Sequence, residues 1–239
     1  MTAPLPAKPL PVYIQIAELL MRQIRAGHWQ LGERLPTEAE LAASLQVAVG
    51  TLRKSLALMA EQGYLDRVQG SGTYVRAPQP GGSIYEFFRL ELHDGPGLPT
   101  ARIISVLKVP RPDAVPVLGE TAHGQVWRVR RLRQLNQVPV ALEEIFFDAR
   151  LTPTLKMSDL GDAMYRFYQE RFGLWIARAE DHVSVRAAPA WAPEVLGLQP
   201  GCAAGYIERR SRLASGVCAE YSHTWFDPAV CRYAVRMGQ

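Results

Sequence analysis

The chain is poor in cysteine and has no long apolar run. Its 239 residues include only Cys202, Cys218 and Cys231, with no C-x-x-C pair. This pattern argues against a disulfide framework or a zinc site, so we expect buried free thiols and no bound metal. No run of about eighteen apolar residues is present, and the N-terminal segment lacks the apolar core of a signal peptide. We therefore expect a cytoplasmic protein with no membrane partner.

Enzyme signatures are also missing. The five histidines show no H-E-x-x-H or H-x-H spacing, and the G-x-x-x-x-G-K-[ST], G-x-G-x-x-G and G-x-S-x-G strings are absent. We therefore predict no catalytic residues and no cofactor. The net charge of +4 is modest and is shared equally between residues 1–77 and the remainder. The net charge therefore does not identify a nucleic-acid-binding domain. The positions of the basic residues must be used instead.

The first third of the chain begins with two predicted helices. Apolar residues recur at three- and four-residue spacing over residues 13–24, which indicates an amphipathic helix that ends near Gly27. Thr37 followed by Glu40 is the pattern of a capping box for a short second helix over residues 38–45.

A third helix and a hairpin follow. The helix is predicted over residues 50–62, with Gly63 suited to its C-terminal cap. Its apolar stripe comprises Leu52, Leu56, Met59 and Ala60. Two strands, residues 64–68 and 73–76, flank a Gly-rich turn. Three helices and a hairpin predict a winged helix-turn-helix domain over residues 1–76.

The composition then changes. Residues 77–83 hold two prolines, two glycines and almost no apolar side chain, which is typical of an inter-domain linker. Strand-like segments follow at 103–109, 126–135, 138–147, 177–185, 204–213, 217–226 and 233–235, with helical segments at 162–172 and 192–196. Hairpin turns such as Asn136-Gln137 favour an antiparallel sheet, so residues 84–239 are predicted to form a second, α+β domain.

The stretch LGERLPTEAELAASLQVAVGTLRKSLALMAEQGYLDRVQGSGTYV spans residues 31–75. With its LPTEAEL helix, TLRK recognition helix and GSGT wing, it resembles the DNA-binding half of GntR-family bacterial transcription regulators. The resemblance implies binding to double-stranded operator DNA. It also implies a homodimer, because two winged helices must meet two half-sites about one helical turn apart.

Four motifs follow in order: RLRQLNQVPVALEEIFFD, MYRFYQERFGL, LGLQPG and AEYSHTWFDPAVCRY. They resemble the UTRA domain of the HutC-type branch, an effector-binding domain with a chorismate-lyase-like fold. The resemblance implies a transcriptional repressor. Its binding to operator DNA is expected to respond to a small anionic metabolite. The alternative is an enzyme of chorismate-lyase-like fold acting on a small carboxylate. Fold alone does not transfer that activity, and no nucleophile or metal constellation supports it.

Candidate DNA contacts lie at the start of the third helix. A helix about 10–12 Å across fits the major groove, where its N-terminal side chains meet base edges or phosphates. We therefore predict that Thr51, Arg53 and Lys54, which lie off the apolar stripe, contact DNA. The alternative is that they only solvate the outside of a small helical domain.

Further DNA contacts are predicted around the wing. Gly70, having no Cβ, lets the wing backbone approach the sugar-phosphate wall or the minor groove, unless it is only a hairpin glycine. Gln69 can donate or accept hydrogen bonds, and Arg67 can contact a phosphate. Arg34, before the second helix, either contacts a DNA phosphate or is simply a solvated surface residue.

Two departures from the family pattern alter the expected DNA specificity. Family members often carry arginine where this chain has Ala39, and Ser-Arg where it has Ala48-Val49. The resemblance therefore implies fewer bidentate guanine contacts, each of which contributes about 1–3 kcal/mol of discrimination. Ala48 also removes the usual hydroxyl cap, so the helix starts either directly after it or near Thr51.

Arg131 and Arg133 are the candidates for binding the effector's anion. Because they lie two apart on a predicted strand, they point to one face, where two guanidinium groups could hold a carboxylate, sulfonate or phosphate. They also match the family's anion-binding positions. The alternative is a solvated basic strand, since Arg128 and Arg130 have the opposite parity.

Three more effector-binding positions come from the resemblance. Glu143 and Glu220 match acidic pocket positions, and Phe226 stands where phosphosugar-binding relatives have tyrosine. Those relatives also have serine where this chain has Ala163, so the missing hydroxyls imply a smaller carboxylate- or sulfonate-bearing metabolite. Glu143 and Glu144 are not predicted to be an acid and base pair, because adjacent strand residues face opposite sides.

Overall fold

The computed structural model describes residues 10–77, 83–119, 124–192 and 196–236. The chain divides into two compact units, one formed mainly by Leu10–Leu98 and the other by Pro99–Arg232. The predicted α+β class is confirmed, since three helices and a hairpin build the first unit and an antiparallel sheet builds the second. Within the described residues, no helix is long and apolar enough to cross a membrane.

Three helices form the core of the first unit: α1 (Val12–Arg25), α2 (Glu38–Ser44) and α3 (Val49–Glu61). The core includes the fully buried side chains of Ala17, Leu20, Met21, Leu52 and Met59. The predicted capping box is present, because Thr37 Oγ1 accepts the N–H of Glu40 and Glu40 Oε2 accepts the N–H of Thr37. Helix α3 begins directly after Ala48, which has extended backbone angles and makes no side-chain capping bond.

The predicted hairpin is formed by β1 (Leu65–Val68) and β2 (Gly72–Val75), with Val68 opposite Gly72. Gly70 at its tip has φ 75°, a left-handed conformation that glycine adopts without steric cost. The segment before α2 extends this hairpin, because the N–H of Leu35 donates to the carbonyl of Thr73 at 2.9 Å.

Two buried charges on α1 hold the segment that follows the hairpin. The carboxylate of Glu18 accepts the hydroxyl of Ser83 at 2.6 Å and the N–H of Ile84 at 3.1 Å. The guanidinium of Arg22, one turn further on, donates to four backbone carbonyls, those of Phe88, Leu90, Pro96 and Gly97. This segment includes the short strand β3 (Leu90–Leu92).

The division between the units therefore falls at a different place from the predicted boundary. Residues 84–98, which the sequence analysis placed in the second domain, join the first unit, and the chain enters the second unit at Pro99. Residues 78–82 of the predicted linker lie outside the described residues. The end of the chain, from Tyr233, belongs to the first unit, where Arg236 makes an ion pair with Glu91.

The second unit is built on a six-stranded antiparallel sheet in the order β4-β5-β6-β9-β8-β7. The strands are β4 (Pro99–Pro110), β5 (Gln125–Leu135), β6 (Val138–Asp148), β7 (Ile176–Ala187), β8 (Ala203–Leu213) and β9 (Cys218–Phe226). Asn136 and Gln137 both have positive φ, which suits the tight turn predicted between β5 and β6. One helix, α4 (Met164–Phe172), follows β6.

Apolar side chains cover both faces of this sheet. On one face Phe147 packs against α4, with its ring centroid 5.4 Å from that of Tyr168. The other face carries a separate cluster that includes Leu142, Tyr206 and Trp225. Polar residues on the α4 face are thus enclosed between the sheet and a helix.

Several sequence predictions differ from the structure. The last strand, β10, covers Cys231–Tyr233 rather than residues 233–235. Strand β3 and the 3-10 turns at Ala149–Leu151 and Met157–Asp159 were not predicted. Residues 193–195 of the predicted helix at 192–196 lie outside the described residues. The expectation of buried thiols is wrong for Cys202, which is exposed where the chain enters β8, although Cys218 and Cys231 are buried.

Candidate functional site

Helix α3 presents a cationic face to solvent. The side chain of Arg53 is 63% exposed and Lys54 is also exposed, whereas Thr51 is half-buried at the start of the helix. Leu52 and Leu56 on the other side of the helix are buried. The structure therefore places the predicted base-contacting residues where DNA could reach them.

Glu38 links this helix to the hairpin. Its Oε2 accepts Nε of Arg53 at 2.8 Å, and its Oε1 lies 3.8 Å from the guanidinium of Arg67. The Arg67 guanidinium also donates to the backbone carbonyl of Arg53 at 3.4 Å. The sequence analysis missed Glu38, although an acidic residue in the first turn of a helix is a recognisable signal. Glu38 brings the two predicted DNA-contacting arginines together.

The hairpin tip is open to solvent. Gln69 and Gly70 are exposed, and a Cβ at Gly70 would meet no atom within 4 Å, so the positive φ is what favours glycine there. Arg34 is exposed and its side chain lies against Gly72, where a Cβ would overlap it. Arg34 thus lies at the base of the wing. Its predicted contact with phosphate remains a prediction.

The positions that depart from the family pattern are also on the surface. Ala39, Ala48 and Val49 are all exposed. None of them can donate a hydrogen bond from its side chain to a base. Arg53 and Lys54 are therefore the cationic side chains that α3 itself offers.

The second cluster lies on the α4 face of the sheet. Arg131 and Arg133 on β5 are 4% and 2% exposed, so the alternative of a solvated basic strand face is wrong for these two arginines. Glu143, opposite Arg131 on β6, accepts Nε of Arg131 at 2.6 Å and lies 3.8 Å from Nε of Arg133. Both arginines also donate to the backbone carbonyl of Asp162, at 3.3 and 2.7 Å. The predicted pair of guanidinium groups therefore exists, and a carboxylate already contacts it.

The ionisation of Glu143 follows from these neighbours. Burial acts to raise its pKa, but the charges of Arg131 and Arg133 outweigh burial and lower the pKa. On the opposite face, Glu144 pairs with Arg130 at 2.7 Å. The two adjacent glutamates thus point to opposite sides of the sheet, as their spacing predicts.

Glu220 on β9 completes the polar cluster. Its carboxylate accepts the hydroxyl of Tyr168 at 2.7 Å and that of Ser211 at 3.3 Å. The hydroxyl of Tyr165 lies 2.7 Å from that of Ser211. Burial raises the pKa of Glu220 by more than the hydrogen bond from Tyr168 lowers it. The cluster therefore offers hydroxyl groups and a carboxyl group beside the paired arginines.

The sequence analysis missed three further polar residues on the α4 side of the sheet. Tyr165 and Tyr168 lie on α4, and Arg209 on β8 makes a bidentate ion pair with Asp181 at 2.6 Å. These residues are far apart in sequence, so their meeting could be predicted only once the strand register and the position of α4 were known.

Phe226 lies at the end of β9, next to β8. It is buried and opposite Gly205 of β8, and a Cβ at Gly205 would overlap its ring. Gly205 therefore leaves the room that the aromatic side chain occupies. Among the described residues, no group of three or more histidine, cysteine, aspartate or glutamate side chains is arranged to hold a metal ion.

Comparison with protein families matches both parts of the chain. Residues 12–75 match the model of bacterial regulatory proteins of the gntR family, and residues 97–230 match the UTRA domain. The chain belongs to the GntR family. It is an effector-responsive, DNA-binding transcription regulator of the UTRA-containing branch, and the alternative of an enzyme is set aside.

Individual relatives agree with this assignment. The chain is 45% identical to the HTH-type transcriptional regulator SmoD of Agrobacterium fabrum, covering 95% of this chain and 97% of that protein. It is 32% identical to the mannosyl-D-glycerate transport/metabolism system repressor MngR of Escherichia coli, covering 72% and 73%. The fold is similar to that of YydK from Bacillus subtilis, with a TM-score of 0.55, 24% identity, and coverage of 96% and 100%.

Proposed function

We propose that this chain is a cytoplasmic, homodimeric repressor whose operator binding is modulated by a small anionic metabolite. Helix α3 and the wing contact the operator through Thr51, Arg53 and Lys54, with the residues of the wing and Arg34 contacting phosphates. The metabolite binds the polar cluster between the sheet and α4. UTRA-containing GntR regulators bind operator DNA and small-molecule effectors, which supports the general scheme.

The observation that carries this proposal is the pair of guanidinium groups of Arg131 and Arg133 inside the second unit. A buried charge is costly unless it is paired, and a fork of two guanidinium groups favours a planar carboxylate or a sulfonate. Glu143 and the carbonyl of Asp162 supply the pairing in the unliganded chain. An incoming anion would take over part of this pairing, at the expense of the contacts that the Glu143 carboxylate makes in the unliganded chain.

The rest of the cluster indicates the kind of metabolite. Ala163 precedes α4 without a capping side chain, and Phe226 has no hydroxyl group, so neither side chain can donate a hydrogen bond to a phosphate oxygen. Glu220, Tyr168 and Ser211 offer hydrogen bonds suited to hydroxyl or amine groups. A polar metabolite with one carboxylate or sulfonate fits these groups. The relative MngR is named for a mannosyl-D-glycerate system, and glycerate is a carboxylate.

Asp162 gives the bound anion a route to the rest of the chain. Its carbonyl is held by Arg131 and Arg133, and its side chain accepts the N–H of Ala101 at 2.8 Å. Ala101 lies near the start of β4, which follows directly on the segment that Arg22 holds against α1. An anion that draws the arginines away from Asp162 would loosen this connection. That difference between bound and free states is what effector control of DNA binding requires.

A thermal-shift screen of small carboxylates and sulfonates tests the proposal. A ligand at a hundred times its dissociation constant should stabilise the protein by about 2.7 kcal/mol. Binding of the best ligand is then measured in Arg131→Ala and Arg133→Ala. Arg130→Ala is the matched control, because Arg130 lies on the same strand, faces the other side and pairs with Glu144.

A loss of binding in the first two variants but not in the control supports the site. Equal binding in all three would place the effector elsewhere. If none of the tested anions alters the affinity of the protein for its operator, the proposed anionic effector is wrong.

A further inference from the structure

Strand β7 is a long edge of the sheet whose outer side has no partner strand within the described residues. It lies at the end of the strand order and runs from Ile176 to Ala187. Two of its apolar side chains are unusually open, Val183 at 50% and Val185 at 71% exposure. Edge strands of this length normally pair with another chain or carry features that prevent pairing.

The opposite edge, β4, has such protective features. It begins and ends with proline, at Pro99 and Pro110, and a register shift interrupts it between Ile103 and Ser105. Proline lacks the N–H that a new ladder needs, and a bulge twists an edge away from flat pairing. By contrast, β7 contains no proline and keeps one register with β8 from Arg178 to Ala187. The charged side chains of β7, such as Glu180 and Arg186, oppose pairing unless the partner strand is complementary in charge, so β7 can pair only with a matching strand.

The backbone groups of β7 that point outward can be identified. The N–H of Ala188 donates to the carbonyl of Cys202 on the β8 side, at 2.7 Å. Backbone direction alternates along a strand, so even-numbered residues of β7 point their N–H and C=O toward β8. The odd-numbered residues from Ala179 to Ala187 point theirs outward. A second strand must pair with these odd-numbered residues.

We propose that β7 pairs antiparallel with β7 of a second copy of this chain, with Val183 opposite Val183 on the two-fold axis. This register pairs odd-numbered residues with odd-numbered residues, as the outward backbone groups require. It places Glu180 of each chain opposite Arg186 of the other, which makes two ion pairs by symmetry. Val183 of each copy then lies opposite Val183 of the other and diagonal to its Val185, so the two copies cover part of this exposed apolar surface. The inference rests on the homodimer of the proposed function and names its interface.

Neighbouring registers fit the charges less well. Centring the pairing on His182 would set Arg178 opposite Arg186, and centring it on Asp181 would set two aspartates opposite each other. Like charges directly opposite on paired strands are destabilising. Registers centred on Ser184 or Val185 form no pair between Glu180 and Arg186, so charge complementarity favours the register centred on Val183.

Charge reversal tests this interface in the full-length protein. Glu180→Arg and Arg186→Glu should each weaken dimerisation by about tenfold, because two ion pairs become two repulsive pairs. The double variant Glu180→Arg/Arg186→Glu should restore wild-type dimerisation. Arg102→Glu, an exposed arginine on the other edge strand, should leave it unchanged. The measurement is sedimentation equilibrium over a concentration series without DNA.

The double variant separates dimerisation from folding. Within one chain Glu180 lies beside His182, at 3.1 Å, and opposite Arg210 of β8, and Arg186 stacks on the ring of Tyr206. The double variant loses these contacts as the single variants do, so restored dimerisation cannot come from repaired folding. A monomeric wild type, single variants that dimerise normally, or a double variant that stays weakened would each overturn the interface.

Failure of this interface differs from failure of the proposed function. A chain that dimerises through another surface still binds its operator and responds to effector. A dimer that ignores every operator candidate would instead count against the regulatory function.

Discussion

Nε of Arg131 donates to Oε2 of Glu143 at 2.6 Å inside the second unit. In the proposed site this bond occupies the position of the anionic effector, so Glu143 takes the place of the effector in the unliganded chain. On this proposal, effector binding exchanges one carboxylate for another anion. Such an exchange changes the local contacts without leaving a guanidinium group unpaired.

Replacing Arg53 with alanine tests the recognition helix. Its exposed guanidinium is held by Glu38 at 2.8 Å, which orients it at the start of α3. If it reads a base, the variant should lose about 1–3 kcal/mol of binding on the specific operator and little on random DNA. Fluorescence anisotropy at one fixed salt concentration measures both.

Arg76→Ala is the control for this change. Arg76 is an exposed arginine of the same unit that pairs with Asp66. An equal loss on operator and random DNA for Arg53→Ala would reduce Arg53 to a phosphate contact.

Replacing Ala48 with serine should stabilise the first unit. Ala48 occupies the N-cap of α3 without a capping hydrogen bond, and a serine hydroxyl there could accept a free N–H of the first turn. The expected gain is about 0.5–2 kcal/mol in the free energy of unfolding. Urea denaturation gives the value. Ala57→Ser, an exposed position in the middle of the same helix, should give no such gain.

Glu220 should give the second unit a specific pH dependence. Burial raises its pKa above the ordinary 4.5, so the folded chain holds this proton more tightly than the unfolded chain. Its contribution to stability is complete below pH 4.5 and is lost as the pH rises through the raised pKa. Glu220→Gln, which has no proton to lose, should therefore lose less stability than the wild type over that rise.

Urea midpoints across the pH range provide the comparison. Glu170→Gln is the control, because Glu170 is an exposed residue of α4 with a side chain 61% accessible. If the urea midpoints of the wild type and Glu220→Gln change with pH in parallel, Glu220 does not titrate in this range.

A methyl group at Gly205 should disturb the position of Phe226. The new Cβ would overlap the Phe226 ring, and overpacking of this kind typically costs about 1–3 kcal/mol. Thermal unfolding of Gly205→Ala measures the cost. Gly50→Ala is the control for adding a Cβ without overlap, since a Cβ there meets nothing within 4 Å; because Gly50 lies in α3, this change should raise stability by up to about 1 kcal/mol rather than lower it. Unchanged stability in Gly205→Ala would mean that the ring moves aside freely.

Local patterns in the sequence predicted much of this structure. The capping box of Thr37, the wing and the shared face of Arg131 and Arg133 each follow from spacing of a few residues. The partners of Glu220 do not, because Tyr168 lies 52 residues away and meets it only through the packing of α4 on the sheet. Long-range contacts of this kind depend on topology rather than on local periodicity.

The buried charges of α1 explain why the predicted boundary differs from the structural division. Charged residues are usually solvated, and the sequence analysis assigned no buried contact to Glu18 or Arg22. In the structure both are buried, at 1% and 5% exposure, and bind the backbone of the following segment. A glutamate and an arginine one turn apart give no sequence signal that distinguishes docking from solvation.

The central claim is that an anion bound at Arg131 and Arg133 controls operator binding. Each arginine replaced by alanine should weaken effector binding by about 1.5–3 kcal/mol, the cost of a charge-assisted hydrogen bond. Linkage is reciprocal, so a variant that no longer binds the effector must also lose the effector's influence on DNA affinity. Operator binding without effector should survive in both variants.

The decisive measurement is operator affinity with and without the screened ligand, in the wild type, Arg131→Ala and Arg133→Ala, at one fixed salt concentration. The account predicts a ligand-dependent change in the wild type, its loss in both variants and unchanged affinity without ligand. If both variants respond to the ligand as the wild type does, the effector binds elsewhere and the central claim is wrong.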